Sequence, residues 1–211
     1  MGERTNLVVK VINTDNTQVI TKSFYFQWGY GKVMPMALLS ALMELRYCKP
    51  VQKDMFCQYV QALSKISRSV DYTSKRKTED IFSEKLIKVG TGEWERKRPH
   101  FWKYISDNND GLLLAEIKLE EFRASEIRVG AVLPELDKIV SLKDYLNYFD
   151  SWYNNNKEQF EDYIKTKQAI YLLCEHFDIK DALTGEQIKS EAKIKIPKIK
   201  ESDELPETVG W

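Results

Sequence analysis

The residues with the plainest chemical potential lie in "GLLLAEIKLEEF", residues 111–122, where Glu116 and Lys118 stand two apart in an apolar run. Alternate side chains of an extended strand share a face. Leu113, Ala115, Ile117 and Leu119 therefore line one face, which is wholly apolar. Leu112, Leu114, Glu116 and Lys118 line the other, so the acid and the lysine point the same way. A carboxylate that can hold a hard divalent cation, with a lysine beside it, is half of a metal-dependent hydrolytic site.

"AEIK" resembles the corresponding part of the PD-(D/E)xK nuclease motif, over four residues. The resemblance implies metal-dependent nucleic-acid cleavage and a second carboxylate sharing the ion with Glu116. Metal–oxygen distances of roughly 2.0–2.6 Å bring two such carboxylates almost into contact. Asp107 and Asp110 lie in the turn "DNNDG". Asp110 is about 20 Å from Glu116 along an extended chain, at roughly 3.3 Å per residue. Pairing back through that turn sets Phe101 opposite Glu116, with His100 and Trp102 beside it and no acid. Asp80 or Glu84 would have to arrive from a distant element. The reading favoured by these spacings is plainer: the apolar face is core, Glu116 and Lys118 face water, and no residue is assigned as catalytic, metal-binding or cofactor-binding.

The elements around this strand follow from periodicity and turn chemistry. Residues 6–13 and 18–28 read as two strands around "TDNT", a hairpin. "WGYGK" breaks the second strand, and Pro35 suits the first turn of a helix over residues 34–47, apolar nearly all round. A second helix is predicted near residues 53–69, where Phe56, Tyr59, Val60, Leu63 and Ile66 recur at three and four. A short helix is predicted over residues 79–88, and residues 94–106 and 112–119 flank "DNNDG" as a second hairpin. Beyond "GAVLPELDKIVS" the chain turns helical, with Ser141 as a cap and an interruption at "NNN", residues 154–156. A long helix over about residues 157–177 turns Phe160, Tyr163, Ile164, Ile170 and Leu173 inward, and Gly185 ends the folded part. The order predicts an α+β fold: a mainly antiparallel sheet built from two hairpins, packed with several helices. One domain spans residues 1–188, with a subdivision near 130–140, and residues 189–211 form an extended C-terminal tail.

Other chemistry is sparse. "WGYGK" lacks the further glycines or the lysine–serine pair of a phosphate loop, so its glycines serve a sharp turn. Cys174 and His176 are two residues apart on a helix and point apart, an apolar cysteine and a rim histidine. "GEWERKRPHFWKY", residues 92–104, interleaves Arg96, Lys97, Arg98 and Lys103 with aromatics including Trp102. "SKRK" adds Lys75, Arg76 and Lys77. Cations between stacking faces are what single-stranded nucleic-acid grooves use. A strand with aromatics inward and basic residues in water has the same pattern.

The chain of 211 residues carries 32 basic and 32 acidic residues, which excludes a uniformly cationic nucleic-acid binder and an acidic nucleic-acid mimic. The balance hides a split: residues 1–104 hold 18 Lys/Arg against 10 Asp/Glu, and residues 105–211 hold 14 against 22. Such a dipolar chain suits a basic face that meets an acidic partner or phosphates; the plainer reading is that the two halves neutralise each other in the fold. No run of eighteen apolar residues exists, so no membrane span is expected, and "MGERTNLVVKVINTD" has no signal-peptide core. Cys48, Cys57 and Cys174 are odd in number and lack metal spacing, which fits a reducing cytoplasm. In the tail, "SEAKIKIPKIKESDELPETVGW", Ile194 and Ile196 alternate with lysines, Ile199 follows Pro197, and Trp211 ends the sequence. An alternating arm of this kind can add to a sheet edge. The function expected is a non-catalytic interaction or assembly protein, of phage or mobile-element origin, docking on a protein partner or sister subunit through Ile194, Ile196, Ile199 and Trp211. Nucleic-acid binding through residues 74–77 and 92–104 is the second reading, and a nuclease using Glu116 and Lys118 the third.

Overall fold

A computed structural model describes residues 5–14, 18–26, 29, 31–47, 59, 62, 72–74, 81–82, 111–120, 123–133, 138–153 and 157–190. The first hairpin forms as expected, from β1 (Thr5–Asn13) and β2 (Gln18–Phe26), paired antiparallel from Thr5↔Phe26 to Asn13↔Gln18. Helix α1 (Val33–Tyr47) follows, with Pro35 in its first turn, where a missing N–H costs no helical hydrogen bond. A short β3 (Tyr72–Ser74) pairs with β2, and β4 (Leu112–Glu120) forms a hairpin with β5 (Arg123–Val132). Then come β6 (Ile139–Val140), α2 (Leu142–Tyr148), α3 (Asp150–Tyr153), α4 (Lys157–His176) and β7 (Ile179–Asp181).

The strands make one sheet in the order β3-β2-β1-β4-β5-β6, with β7 also on β5. The fold is α+β, and the sheet is mostly but not purely antiparallel. β4 runs parallel to β1, and β7 parallel to β5. Parallel neighbours need long crossovers; helices α2, α3 and α4 lie within the one from β5 to β7. Both edges of β4 are thus taken, by β1 and β5. Residues 94–106, expected as its hairpin partner, lie outside the described residues, as do most of 53–69 and 79–88.

The principal core lies between one sheet face and the helices. Leu7, Val9, Leu113, Ile117, Ile127 and Val129 meet Leu38, Leu42, Tyr145, Phe149, Tyr163 and Ile170 there. Ser141 caps α2 as predicted: its Oγ accepts from the backbone N–H of Asp144 at 2.9 Å. The Tyr163 hydroxyl donates to the Leu146 carbonyl at 2.6 Å, tying α4 to α2. The two glycines of "WGYGK" are steric necessities. A Cβ at Gly29 would lie 1.7 Å from Thr5 Oγ1, and Gly31 has φ +68° with its would-be Cβ 2.4 Å from the Phe149 ring.

Gly185 does not end the fold. With φ +72° it turns the chain back along β7, where the Ile188 N–H donates to the Ile179 carbonyl at 2.8 Å. Ile188 is itself buried, packed on the core.

Candidate functional site

Glu116 and Lys118 do share a sheet face, but that face is not simply wet. Register places Lys10 beside Glu116 on one side and Arg128 on the other. Glu116 is 7 % exposed, with its carboxylate 3.8 Å from Lys10 Nζ and 3.9 Å from Arg128 Nη1. The expectation that Glu116 faces water is corrected here. It assumed a neighbour from residues 94–106, whereas the parallel strand β1 and the following strand β5 each bring a cation to the same rung.

One rung further, Lys118 donates to Glu126 at 2.6 Å, and Lys180 lies 3.8 Å from Glu126. The hydrogen bond from Lys118 is the main cause holding the Glu126 carboxyl below its usual range, with the charges of Lys118, Lys180 and Arg128 adding to it. The result is an ionic ladder across β1, β4, β5 and β7. Toward the other end, the same face is apolar: Val8, Leu112, Leu114 and Val132 form a second cluster with Ile81, against which Phe82 and Ile139 pack. Arg128 bridges the two regions, its guanidinium 5.0 Å from the Phe82 ring centroid.

For the nuclease reading the geometry is unfavourable on chemical grounds. A metal-binding carboxylate needs a second acid nearby, and Glu116 has cations on both sides. Among the described residues no three His, Cys, Asp or Glu side chains are grouped to hold a metal ion. Cys174 and His176 behave as separate features. Burial pushes the Cys174 thiol up to about 12, so it is not a thiolate near neutral pH. His176 is exposed at the end of α4.

A feature that sequence reasoning missed lies at that helix end. A cleft of about 390 Å³ opens between α1, β5 and the turn after α4. Leu42, Leu45, Tyr59, Ile127 and Phe177 supply apolar lining, and Arg46, His176 and Asp178 supply polar groups. Arg46 donates to the His176 carbonyl at 3.1 Å and lies 5.7 Å from the Phe177 ring centroid, so α1 braces the C-terminus of α4. Burial pushes the Tyr59 hydroxyl up to about 12, which keeps it neutral in the cleft wall.

The strand side of the cleft is a sheet edge with a bulge. Lys118 pairs with Glu126 but Leu119 with Ala124, which leaves Ser125 as the extra residue. Its hydroxyl donates to the Lys118 carbonyl at 3.3 Å. On its outer edge β5 pairs with β7 only through residues 127–129 and with β6 only through 131–132. Residues 123–126 have no strand on that side among the described residues. The one signal in the sequence was the run "EEFRASEIRVGAV", whose charged first half obscures a strand.

The remaining predicted site residues lie outside the described residues: Ile194, Ile196, Ile199 and Trp211 of the tail, and Lys75, Arg76, Lys77, Arg96, Lys97, Arg98, Trp102 and Lys103 of the basic segments. No helix among the described residues is long and apolar enough to cross a membrane. Compared with models of protein families, with curated proteins and with solved structures, the chain matches none.

Proposed function

We propose that this chain is a non-catalytic interaction or assembly protein that docks on a sister subunit or another protein through its C-terminal arm and its charged surfaces. The observation that carries this reading is the contrast between spent and unspent groups. Glu116 and Lys118, the pair with the clearest chemical potential, lie against charges of opposite sign from neighbouring strands. The cleft beside β5, by contrast, presents an apolar lining and, among the described residues, a stretch of strand edge without a partner strand, the two things an extended peptide needs. The alternating arm at 193–199 has the pattern of such a peptide. A cytoplasmic setting and a phage or mobile-element source agree with the scattered cysteines and the Lys-, Ile- and Asn-rich composition.

Light scattering of the full chain over a hundredfold concentration range tests the reading. The expected result is a mass that rises with concentration, and a single-chain mass for Ile194→Asp/Ile196→Asp. Equal masses for the two proteins would remove the arm as an assembly device. Divalent-metal-dependent DNA cleavage that disappears in Glu116→Gln would overturn the non-catalytic reading itself.

The second reading, single-strand nucleic-acid binding, rests on the interleaved cations and aromatics of residues 92–104. It predicts salt-sensitive binding that Arg96→Ala/Arg98→Ala abolishes.

A further inference from the structure

We infer that the cleft between α1, β5 and the turn after α4 is a binding site for a free α-amino acid with a polar-tipped aromatic side chain. This goes beyond the assembly reading and needs no partner chain. At about 390 Å³ the cleft is in the size range of small-molecule sites. Its inner wall is apolar, with Leu42 and Ile127 buried and Phe177 half-buried. One polar group stands in that wall. Tyr59 lines the cleft, is 6 % exposed, and makes no hydrogen bond among the described residues. Burial keeps its hydroxyl neutral, so it can both donate and accept. A buried hydroxyl without a partner is costly, and a ligand atom that meets it recovers that cost.

At the exposed mouth the cleft carries a cation and a carboxylate that do not meet. Arg46 spends Nη1 on the His176 carbonyl and lies by the Phe177 ring, and it forms no ion pair among the described residues. Its remaining guanidinium N–H groups suit a carboxylate. Asp178 ends α4 in the left-handed region, at φ +53°, as the only non-glycine residue with positive φ among those described. Glycine is the usual residue at such a helix end. Here the position keeps a carboxylate, to which no described residue donates. A ligand with a carboxylate alone would suit Arg46 and be repelled by Asp178; an amine alone would meet the reverse. A zwitterion suits both, and an α-amino acid holds its two charges on one carbon. Its side chain then turns inward. An aromatic ring brings the most apolar area to such a wall, and an N–H or O–H on that ring supplies what Tyr59 lacks.

The test is calorimetric titration of the full chain with L-tryptophan and with analogues that each lack one feature. L-Tryptophan should saturate a single site at concentrations up to about 10 mM. Tryptamine, without the carboxylate, and indole-3-propionate, without the ammonium, should each bind at least about tenfold more weakly. L-Phenylalanine, without the ring N–H, should bind more weakly too. Asp178→Asn removes the charge and keeps a residue that tolerates the left-handed turn. It should weaken L-tryptophan about tenfold and leave indole-3-propionate no weaker. Tyr59→Phe should bring L-tryptophan down to the affinity of L-phenylalanine. The analogue series on the wild-type chain carries the test should either variant fail to fold. No saturable binding of L-tryptophan overturns the proposal. So does equal binding of L-tryptophan and either one-charge analogue, or an affinity that Asp178→Asn leaves unchanged. The solution mass, which tests the assembly reading, plays no part in these readouts, so either reading can fail alone.

Discussion

On one face of β4, Leu113, Ala115, Ile117 and Leu119 meet the helix layer and are at most 1 % exposed. On the other, Leu112 and Leu114 give way within two residues to Glu116 and Lys118. One nine-residue strand thus serves two environments. The helix side is bound by shape and by removal of apolar surface from water. The ladder side is bound by charges whose positions come from three other strands. The first kind of contact is sensitive to lost volume. The second is sensitive to lost balance, because a buried ion without its counter-ion is costlier than no ion at all.

The largest effect is expected on the helix side. Ile117→Ala should cost about 4 kcal/mol, within the usual range for truncating a fully buried aliphatic side chain. Urea unfolding should show the lowered midpoint with little change in slope. A loss below about 1 kcal/mol would mean that this face is not the main core.

The ladder side should answer differently to single and paired changes. Glu116→Leu removes the carboxylate beside Lys10, which is 5 % exposed, and should cost about 3 kcal/mol. Lys10→Met combined with Glu116→Leu should return most of that loss, since a well-packed apolar pair can match a buried ion pair. The coupling read from a double-mutant cycle sharpens the comparison. Additive losses would show that the two side chains do not act as a pair.

The smallest effect belongs to the half-exposed rung. Lys118→Ala should cost less than about 1 kcal/mol near neutral pH, because solvent and salt screen this contact. Glu126 has a folded-state pKa below its unfolded value. Its contribution is therefore full above the ordinary carboxylate range and fades as pH falls through the folded value. The gap between wild type and Lys118→Ala should be present at pH 7 and close on acidification. A gap that persists unchanged in acid would assign the effect to packing by the lysine stem.

How much of this was legible depended on how local each feature is. β1, β2, α1, α4 and the Ser141 cap follow from neighbours a few residues apart, and the sequence pattern located them within a residue or two. The core face of β4 was legible for the same reason. β5 was not, because "RASEIR" mixes charges on both faces and carries a bulge residue. The cleft was not either, since it joins residues from α1, β5 and the end of α4 that lie far apart in sequence.

Alternation, turn chemistry and composition were enough, by themselves, to determine an α+β chain, a first hairpin and an all-apolar face on residues 112–119. They act through contacts a few residues long, which the order of residues states directly. Only the tertiary structure decided that β1 lies parallel beside β4, and with it that Lys10 and Arg128 flank Glu116. Likewise, only the fold decided that β7 pairs β5 through residues 127–129 alone. Pairing across a hundred residues is chosen by the burial of whole faces, and no short stretch of sequence contains that choice.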